Sequence, residues 1–529
     1  MAEIYYNGTI VTMRTEGETV PAVAVENGVI ADVGEEKELR RKYPYAEPFD
    51  LNGEAMFPAF IDAHSHFTGV ANSLLQVNLG DCLSFSDIKE KIQKARCNGV
   101  ITEGWMIANS YDHTSLEEKT HPNIDFLDSI CPDMPLVIQH ASGHTGLFNS
   151  KALDLLGVTE NTVPPSGGKI CKTDGRLNGY MEENAFVEYL KKVPMPKPEA
   201  LMQAYQKAQN IYASFGVTSI QEGMMTDELI PLYKKLTAEN RLFLDVTGYA
   251  GVQSFDKYLK NFENSTGKFY DNFRLGGYKI FLDGSPQAKT AWMRKPYEGL
   301  NDYFGYPTMS DEQVMSAIEK AFHSGFQILA HCNGDRAADQ FIDCIAACQK
   351  KGMNVEIIRP VMVHAQFLPK DRMEKVKQLG IIPSFFSAHA YYWGDVHLQN
   401  LGEERAKKLS PAHTAEIRGV PFTIHRDSPV LDENVLDSIH IAVNRETKSG
   451  IVLGERERIS VYQALKAHTV NAAYQYFDEK VKGTLETGKK ADFVILSENP
   501  LTVNKKEINK IKVRYTVKNG NIVYSQNLN

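Results

Sequence analysis

The residues most able to do chemistry in this chain begin with His64 and His66, two apart at the end of the apolar run FPAFIDAHSHF. On a strand, residues i and i+2 share a face, so both imidazoles can reach one cation. Imidazole suits zinc, iron, nickel and similar metals. The plainer alternative is a pair of strand histidines facing solvent. Two more histidines stand in matching contexts: His331 ends FQILAH and His364 ends RPVMVH. A polar residue at the C-terminal end of a barrel strand reads as active-site material. Taken singly, each is as readily a hydrogen-bonded core histidine. Four histidines on three separate apolar runs converge only if those runs form one barrel.

Three ionisable residues join them. Asp427, after VPFTIHR, could ligate a metal and accept a proton from water. Its alternative is a turn or helix cap beside Ser428-Pro429. The triplet His425-Arg426-Asp427 looks like a kinase catalytic loop, but no Gly-rich phosphate loop precedes it. Lys279 lies in the strand-like run GGYKIFLDGS with Phe281 and Asp283 on the same face. Burial depresses a lysine pKa, and a neutral amine can add CO2 to form a carbamate anion able to bridge two cations. Physics alone favours a simple pairing of Lys279 with Asp283. Glu222 in GVTSIQEG also sits at a strand end.

Positioning these residues requires a parallel βα architecture. Helical stretches at 199–215, 311–324 and 336–350 each precede a short β-type run, GVTSIQEG, FQILAHC and RPVMVHAQ. The span accommodates eight βα units with an insertion at about 72–198. Pieces such as VPPSGGKI and KKVPMPKPEA in that insertion read as loops. Both chain ends are strand-rich and carry Asn-Gly hairpin signals. A composite β-sandwich from residues 1–56 and 478–529 therefore flanks a barrel over 57–477.

Bulk properties exclude several classes. A hydrophobic share of 43% with 23% charged residues is that of a soluble globular protein. The net charge of −8 gives no basic field for nucleic acid. No run approaches the ~18 apolar residues needed to span a bilayer. The start, MAEIYYNGTIVTM, lacks the pattern of a secretory signal. Seven scattered cysteines fit reduced thiols, so a cytoplasmic location is expected. A homodimer would be unsurprising.

PAFIDAHSH, GGYKIFLDGS, QILAHCNGDRA, RPVMVHAQ and the late Asp-Ser-Pro together resemble the amidohydrolase superfamily. More narrowly, they resemble the family-3 amidohydrolases, the group of N-substituted formamide deformylase. The resemblance covers nearly the whole chain, including HTGLFNSKALDLLGV in the insertion and AHTVNAAYQY and GTLETGKKADFVIL near the end. It implies a distorted (β/α)8 TIM barrel with a small β-sandwich from both termini. By motif position it implies His64 and His66 as ligands from strand one and Lys279 as a carboxylated, bridging lysine near strand four. His331 and His364 become ligands from strands five and six, and Asp427 the ligand and general base from strand eight.

The activity so implied is hydrolysis of a non-peptide C–N bond in a small-molecule amide or N-formyl or N-acyl amine. The nucleophile would be a metal-activated hydroxide, with Asp427 as base. One or two divalent ions are expected, zinc first, with manganese, iron or nickel as alternatives, and CO2 held as a carbamate on Lys279. His144 in ASGHTGLFN, His389 and Trp393 in FFSAHAYYWGD, and Glu222 are the candidate substrate contacts. Alternatives on the same scaffold are a deacetylase or a hydrolase of cyclic amides. A metal-dependent isomerase or a non-catalytic relative stands further off.

Overall fold

The computed structural model describes residues 2–526. They pack as two compact units, one of residues 2–67 and 209–526, the other of residues 68–208. No helix among the described residues is long and apolar enough to cross a membrane.

The first unit contains eight parallel strands hydrogen-bonded in chain order. They are β1 (Phe60–Ile61), β2 (Val217–Met225), β3 (Asp245–Gly251), β4 (Phe273–Phe281), β5 (Gln327–Cys332), β6 (Val361–His364), β7 (Ile382–Phe385) and β8 (Thr423–Ile424). These runs are almost wholly buried, as strands covered on both faces must be. The expected helices form as Pro198–Ser214, Asp311–Ser324 and Asp335–Lys350. Ser310 and Gln313 make a capping box at the start of Asp311–Ser324, and Gly325 closes that helix at a left-handed φ of 73°. The ladder runs from β1 to β8 without a β8–β1 strand pair. Beyond their C-terminal ends, however, the His66 N–H donates to the Ser428 carbonyl at 2.8 Å and the Asp427 N–H to the His64 carbonyl at 3.3 Å.

Both chain ends build one further sheet in this unit. Its order is Asn521–Ser525, Val513–Lys518, Phe493–Leu496, Ala55–Pro58, Glu3–Val11, Thr19–Glu26 and Val29–Gly34, with Glu47–Asp50 also paired to Glu3–Val11. The strands are one connected sheet where the sequence suggested a sandwich. The Asn-Gly signals do mark its turns. Asn27-Gly28 and Asn519-Gly520 both take positive φ at each residue, as a tight hairpin turn requires. Tyr5, Val23, Met56, Phe493, Ile495 and Val517 meet in the core beneath the sheet.

The second unit is more ordered than its Gly- and Pro-rich pieces suggested. It holds a six-stranded sheet in the order Gly168–Thr173, Arg176–Glu183, Thr145–Phe148, Leu136–His140, Met106–Tyr111 and Val77–Asn78. GGKI, read as loop, supplies the start of Gly168–Thr173. Alternate residues separate to two clusters: Met106 and Ala108 pack with Ile88, Ile92 and Leu127, while Trp105 and Val137 pack with Phe148 and Phe186. Both faces of this sheet are therefore covered.

At the N-terminal end of β3, the buried Asp245 carboxylate meets Lys482 at 2.5 Å, Lys518 at 2.8 Å and Lys490 at 3.1 Å. Burial opposes its ionisation, but Lys482, Lys518 and Lys490 outweigh burial and hold the carboxyl well below the usual range. That stabilisation is present above the ordinary carboxylate pKa of about 3.9 and is lost as pH falls toward the depressed folded value. Asp245→Asn leaves buried ammonium groups without their anion, so it should destabilise by about 3–5 kcal/mol. Urea unfolding checks this, with Lys490→Ala, at the half-exposed member, as the milder comparison.

Candidate functional site

The chemically able residues gather where the parallel strands end. β1 stops at Ile61, so His64 and His66 sit on the segment just beyond it rather than on the strand itself. Lys279 lies on β4, His331 on β5 and His364 at the end of β6, while Asp427 follows β8. His364, Ala365 and Asp427 take left-handed φ values of 70°, 47° and 57°. Non-glycine residues held there cost of order 1–3 kcal/mol each and cluster at functional sites. Here the sharp turns come at His364, the last residue of β6, and at Asp427, just past the end of β8. Gly223 on β2 is required for a different reason: an added Cβ would meet the His64 ring at 2.6 Å.

One ligand atom each from His64, His364 and Asp427 lies within 4.8 Å of the others, a spacing that could hold a metal ion. Oδ1 of Asp427 lies 3.4 Å from Nε2 of both His64 and His66, and this buried oxygen has no hydrogen-bond partner. Nζ of Lys279 is 3.0 Å from Nε2 of His64. The His331 ring stands 4.5 Å from that of His364. All six expected ligands thus join one continuous cluster, with His64, His364 and Asp427 as its tightest part.

Charge distribution follows burial. Burial pushes His64 and His364 well below the ordinary imidazole range, leaving both neutral. Burial works against ionisation of Asp427, but His364, His66 and His64 overcome it and keep a carboxylate. Lys279 is pushed down to about 7 by burial, against the attraction of Asp427. Neutral imidazoles, a carboxylate and an amine that is largely neutral above pH 7 are what a divalent cation requires of its ligands. An orphaned, buried carboxylate oxygen among them fits such an ion and is poorly explained without one.

Supporting residues orient this cluster. Nδ1 of His64 faces Oε1 of Gln221, whose Nε2 donates to the Ala63 carbonyl at 3.0 Å and the Tyr476 hydroxyl at 2.7 Å. The Tyr476 hydroxyl donates to the Asp62 carbonyl, and Gln475 to the Ala63 carbonyl, each at 2.8 Å. The AHTVNAAYQY stretch therefore braces the His64 segment from below. Asp283 does not pair with Lys279. It accepts the N–H groups of Trp292, Asn333 and Gly334, and its Oδ1 lies 3.3 Å from Nδ1 of His331.

The sequence reading passed over His425, Gln221 and the role of Asp283. His425 is buried, with Nε2 3.1 Å from Nδ1 of His364 and Nδ1 2.9 Å from the Ser384 hydroxyl. It stands two residues before Asp427, the same i, i+2 spacing that singled out His64 and His66.

The proposed substrate contacts divide. His389 is buried one ring away: Phe386 lies 4.6 Å from it and 5.2 Å from His425. Trp393 packs on His389 at 4.4 Å. Glu222 accepts the Tyr233 hydroxyl at 2.8 Å and forms a β-bridge with His66. His144 belongs to the other unit, where its exposed ring pairs with Glu183 at 3.2 Å.

A family model described as amidohydrolase matches residues 47–524. The chain is 28% identical over 540 residues to YtcJ of Bacillus subtilis (strain 168), whose name assigns it provisionally to the amidohydrolases, covering 99% of this chain and 100% of that one. It is 24% identical over 538 residues to the N-substituted formamide deformylase of Arthrobacter pascens, covering 98% of each. An uncharacterized metal-dependent hydrolase from Pyrococcus furiosus superposes with a TM-score of 0.77 at 26% identity, over 95% of this chain and 100% of that one.

Gln221→Ala removes the acceptor that fixes the His64 ring. It should weaken divalent-metal affinity by roughly 10–100-fold, the usual effect of losing a partner that orients a ligand. Competition with a chromophoric chelator measures it.

Proposed function

The chain belongs to the amidohydrolase family and is a metal-dependent hydrolase; on that premise we propose that it cleaves a non-peptide C–N bond in a small amide or an N-formyl or N-acyl amine. The observation that carries this reading is the orphaned Asp427 oxygen 3.4 Å from Nε2 of His64, in a group with His364 whose ligand atoms lie within 4.8 Å of one another. Likeness over nearly full length to an N-substituted formamide deformylase supports the choice of bond.

In this reading His64, His66, His331, His364 and Asp427 hold one or two divalent ions, zinc foremost. A divalent ion supplies Lewis acidity there, polarising a carbonyl and lowering the pKa of water toward neutrality. Lys279 adds CO2 through its neutral amine, releasing a proton and leaving a carbamate that becomes a further anionic ligand. The dry surroundings of Lys279 and its position against His64 favour that modification over an ammonium. Asp427, already a carboxylate, takes a proton from the attacking water and returns it to the departing nitrogen. His425, seated by Ser384 against His364, fixes that ring from behind or meets the charge that develops on the substrate oxygen. Phe386, His389 and Trp393 form an aromatic wall that selects the acyl or amine group. Glu222 acts through Tyr233 and His66 as a positioning residue.

Asp427→Asn keeps the side-chain shape and an oxygen ligand but cannot take the proton. Turnover should fall by about 10²–10⁴-fold with metal content near that of the parent. A panel of N-formyl and N-acyl amines, read by release of formate or free amine, supplies the assay. Wild-type turnover in that variant rejects Asp427 as the base, and no amine release across the panel rejects the bond.

A further inference from the structure

The second unit carries a separate group of metal-ligating side chains. Asp112 and His113 follow the end of Met106–Tyr111, and His140 ends the neighbouring parallel strand Leu136–His140. Tyr111 and His140 are register partners in that pair. Ligands in open α/β sheets bind in the crevice beyond the carboxyl ends of parallel strands, and these three residues stand there.

The spacing is that of a coordination sphere. Nδ1 of His113 lies 3.1 Å from Nε2 of His140, Oδ1 of Asp112 lies 3.7 Å from that Nε2, and it lies 3.9 Å from Nδ1 of His113. The point equidistant from the corners of such a triangle is about 2.1 Å from each, the length of a zinc–nitrogen or zinc–oxygen bond. Side-chain exposures of 38%, 31% and 15% for Asp112, His113 and His140 leave that point open to water and to an entering ion.

Each ligand is also held. The Ser142 backbone N–H donates to Nδ1 of His140 at 3.1 Å and the Ser142 hydroxyl lies 3.0 Å from the same nitrogen, which turns Nε2 toward the other two groups; a metal on Nε2 requires the ring proton to move to Nδ1, where the Ser142 hydroxyl is placed to accept it. Thr114 anchors Oδ1 of Asp112 through its N–H at 2.9 Å and its hydroxyl at 2.7 Å. The His121 ring stacks on His113 at 3.9 Å and on Tyr180 at 4.4 Å, and its Nδ1 meets the Tyr111 hydroxyl at 3.0 Å. These contacts set the orientation of both rings and of the carboxylate.

We propose that Asp112, His113 and His140 form a second site for a divalent transition metal of the zinc class, with three protein ligands and an open position. Two imidazoles and one carboxylate favour zinc, nickel or copper over calcium and magnesium, which take mainly oxygen ligands. The site shares no residue with the cluster of His64, His364 and Asp427, so it stands whether or not that cluster does the chemistry assigned to it.

The test is equilibrium dialysis of the full-length, chelator-stripped protein against zinc chloride, with bound zinc measured by atomic emission. Cobalt(II) absorption serves as a second readout of the ligand field. Four variants accompany the parent: His113→Gln with His140→Gln, Asp112→Asn, Ser142→Ala, and His64→Ala with His364→Ala. The double glutamine variant should bind one zinc fewer per chain, and the barrel variant should keep one. Ser142→Ala removes the hydroxyl that faces Nδ1 of His140 and also accepts the His144 N–H, and should weaken that zinc by roughly 10–100-fold. Asp112→Asn, at a half-exposed position, should weaken it too and answers the question if the double variant fails to fold. Equal zinc in the parent, Asp112→Asn and a folded double glutamine variant overturns the proposal, as does a folded barrel variant that binds none.

Discussion

A carboxylate oxygen buried among imidazoles without a hydrogen bond is the constraint around which the first unit is arranged. Burying such a group uncompensated is among the costliest things a fold can do. Oδ1 of Asp427 is nevertheless surrounded by His64, His66 and His364, with Lys279 against His64. The strand ends turn through strained backbone at His364 and Asp427 to create that meeting point, and Gly223 withholds a side chain so that the His64 ring fits. Strain and desolvation accumulate in one place. That is the pattern expected where structure serves chemistry rather than stability.

Stability resides at the opposite ends of the same strands. There Lys482, Lys490 and Lys518 close around Asp245, and Arg274 makes a two-pronged pair with Asp478. Between the two ends, Ile61, Leu329, Val361, Val363 and Ile382 pack with Ala472, Ala473 and Tyr476. The Tyr476 hydroxyl reaches up to Asp62 and Gln221. A helix from late in the chain thus carries packing from the base to the first histidine, so the two ends are mechanically continuous while their charges remain apart.

Much of this was legible in the residues. His-x-His after an apolar run, and histidines closing FQILAH and RPVMVH, pointed to strand ends because chemistry at the mouth of a parallel sheet leaves that mark on short segments. The helices before those strands were readable to within a residue or two because their apolar period is clean. Other features depend on contacts between distant residues and leave no local trace. The seating of His64 on Gln221 spans 157 positions. Asp283 looked like the partner of Lys279 from strand alternation, yet it serves backbone N–H groups after β5. His425 was hidden inside a triplet that invited comparison with another family. The insertion looked loop-like because Gly and Pro dominate its connections, which masked a sheet covered on both faces.

The sheet made from both chain ends has a consequence for biosynthesis. Ala55–Pro58 pairs with Phe493–Leu496, and Glu3–Val11 is held beside it. At ribosomal speeds of about 5–20 residues per second, the early strands wait roughly 20–90 s for that partner to be made. During the interval, Phe57 and its apolar neighbours present an unsatisfied edge of the kind that recruits chaperones or sticks to other nascent chains. Lowering the growth temperature or slowing induction would therefore be expected to change the yield of folded protein more than surface mutation would.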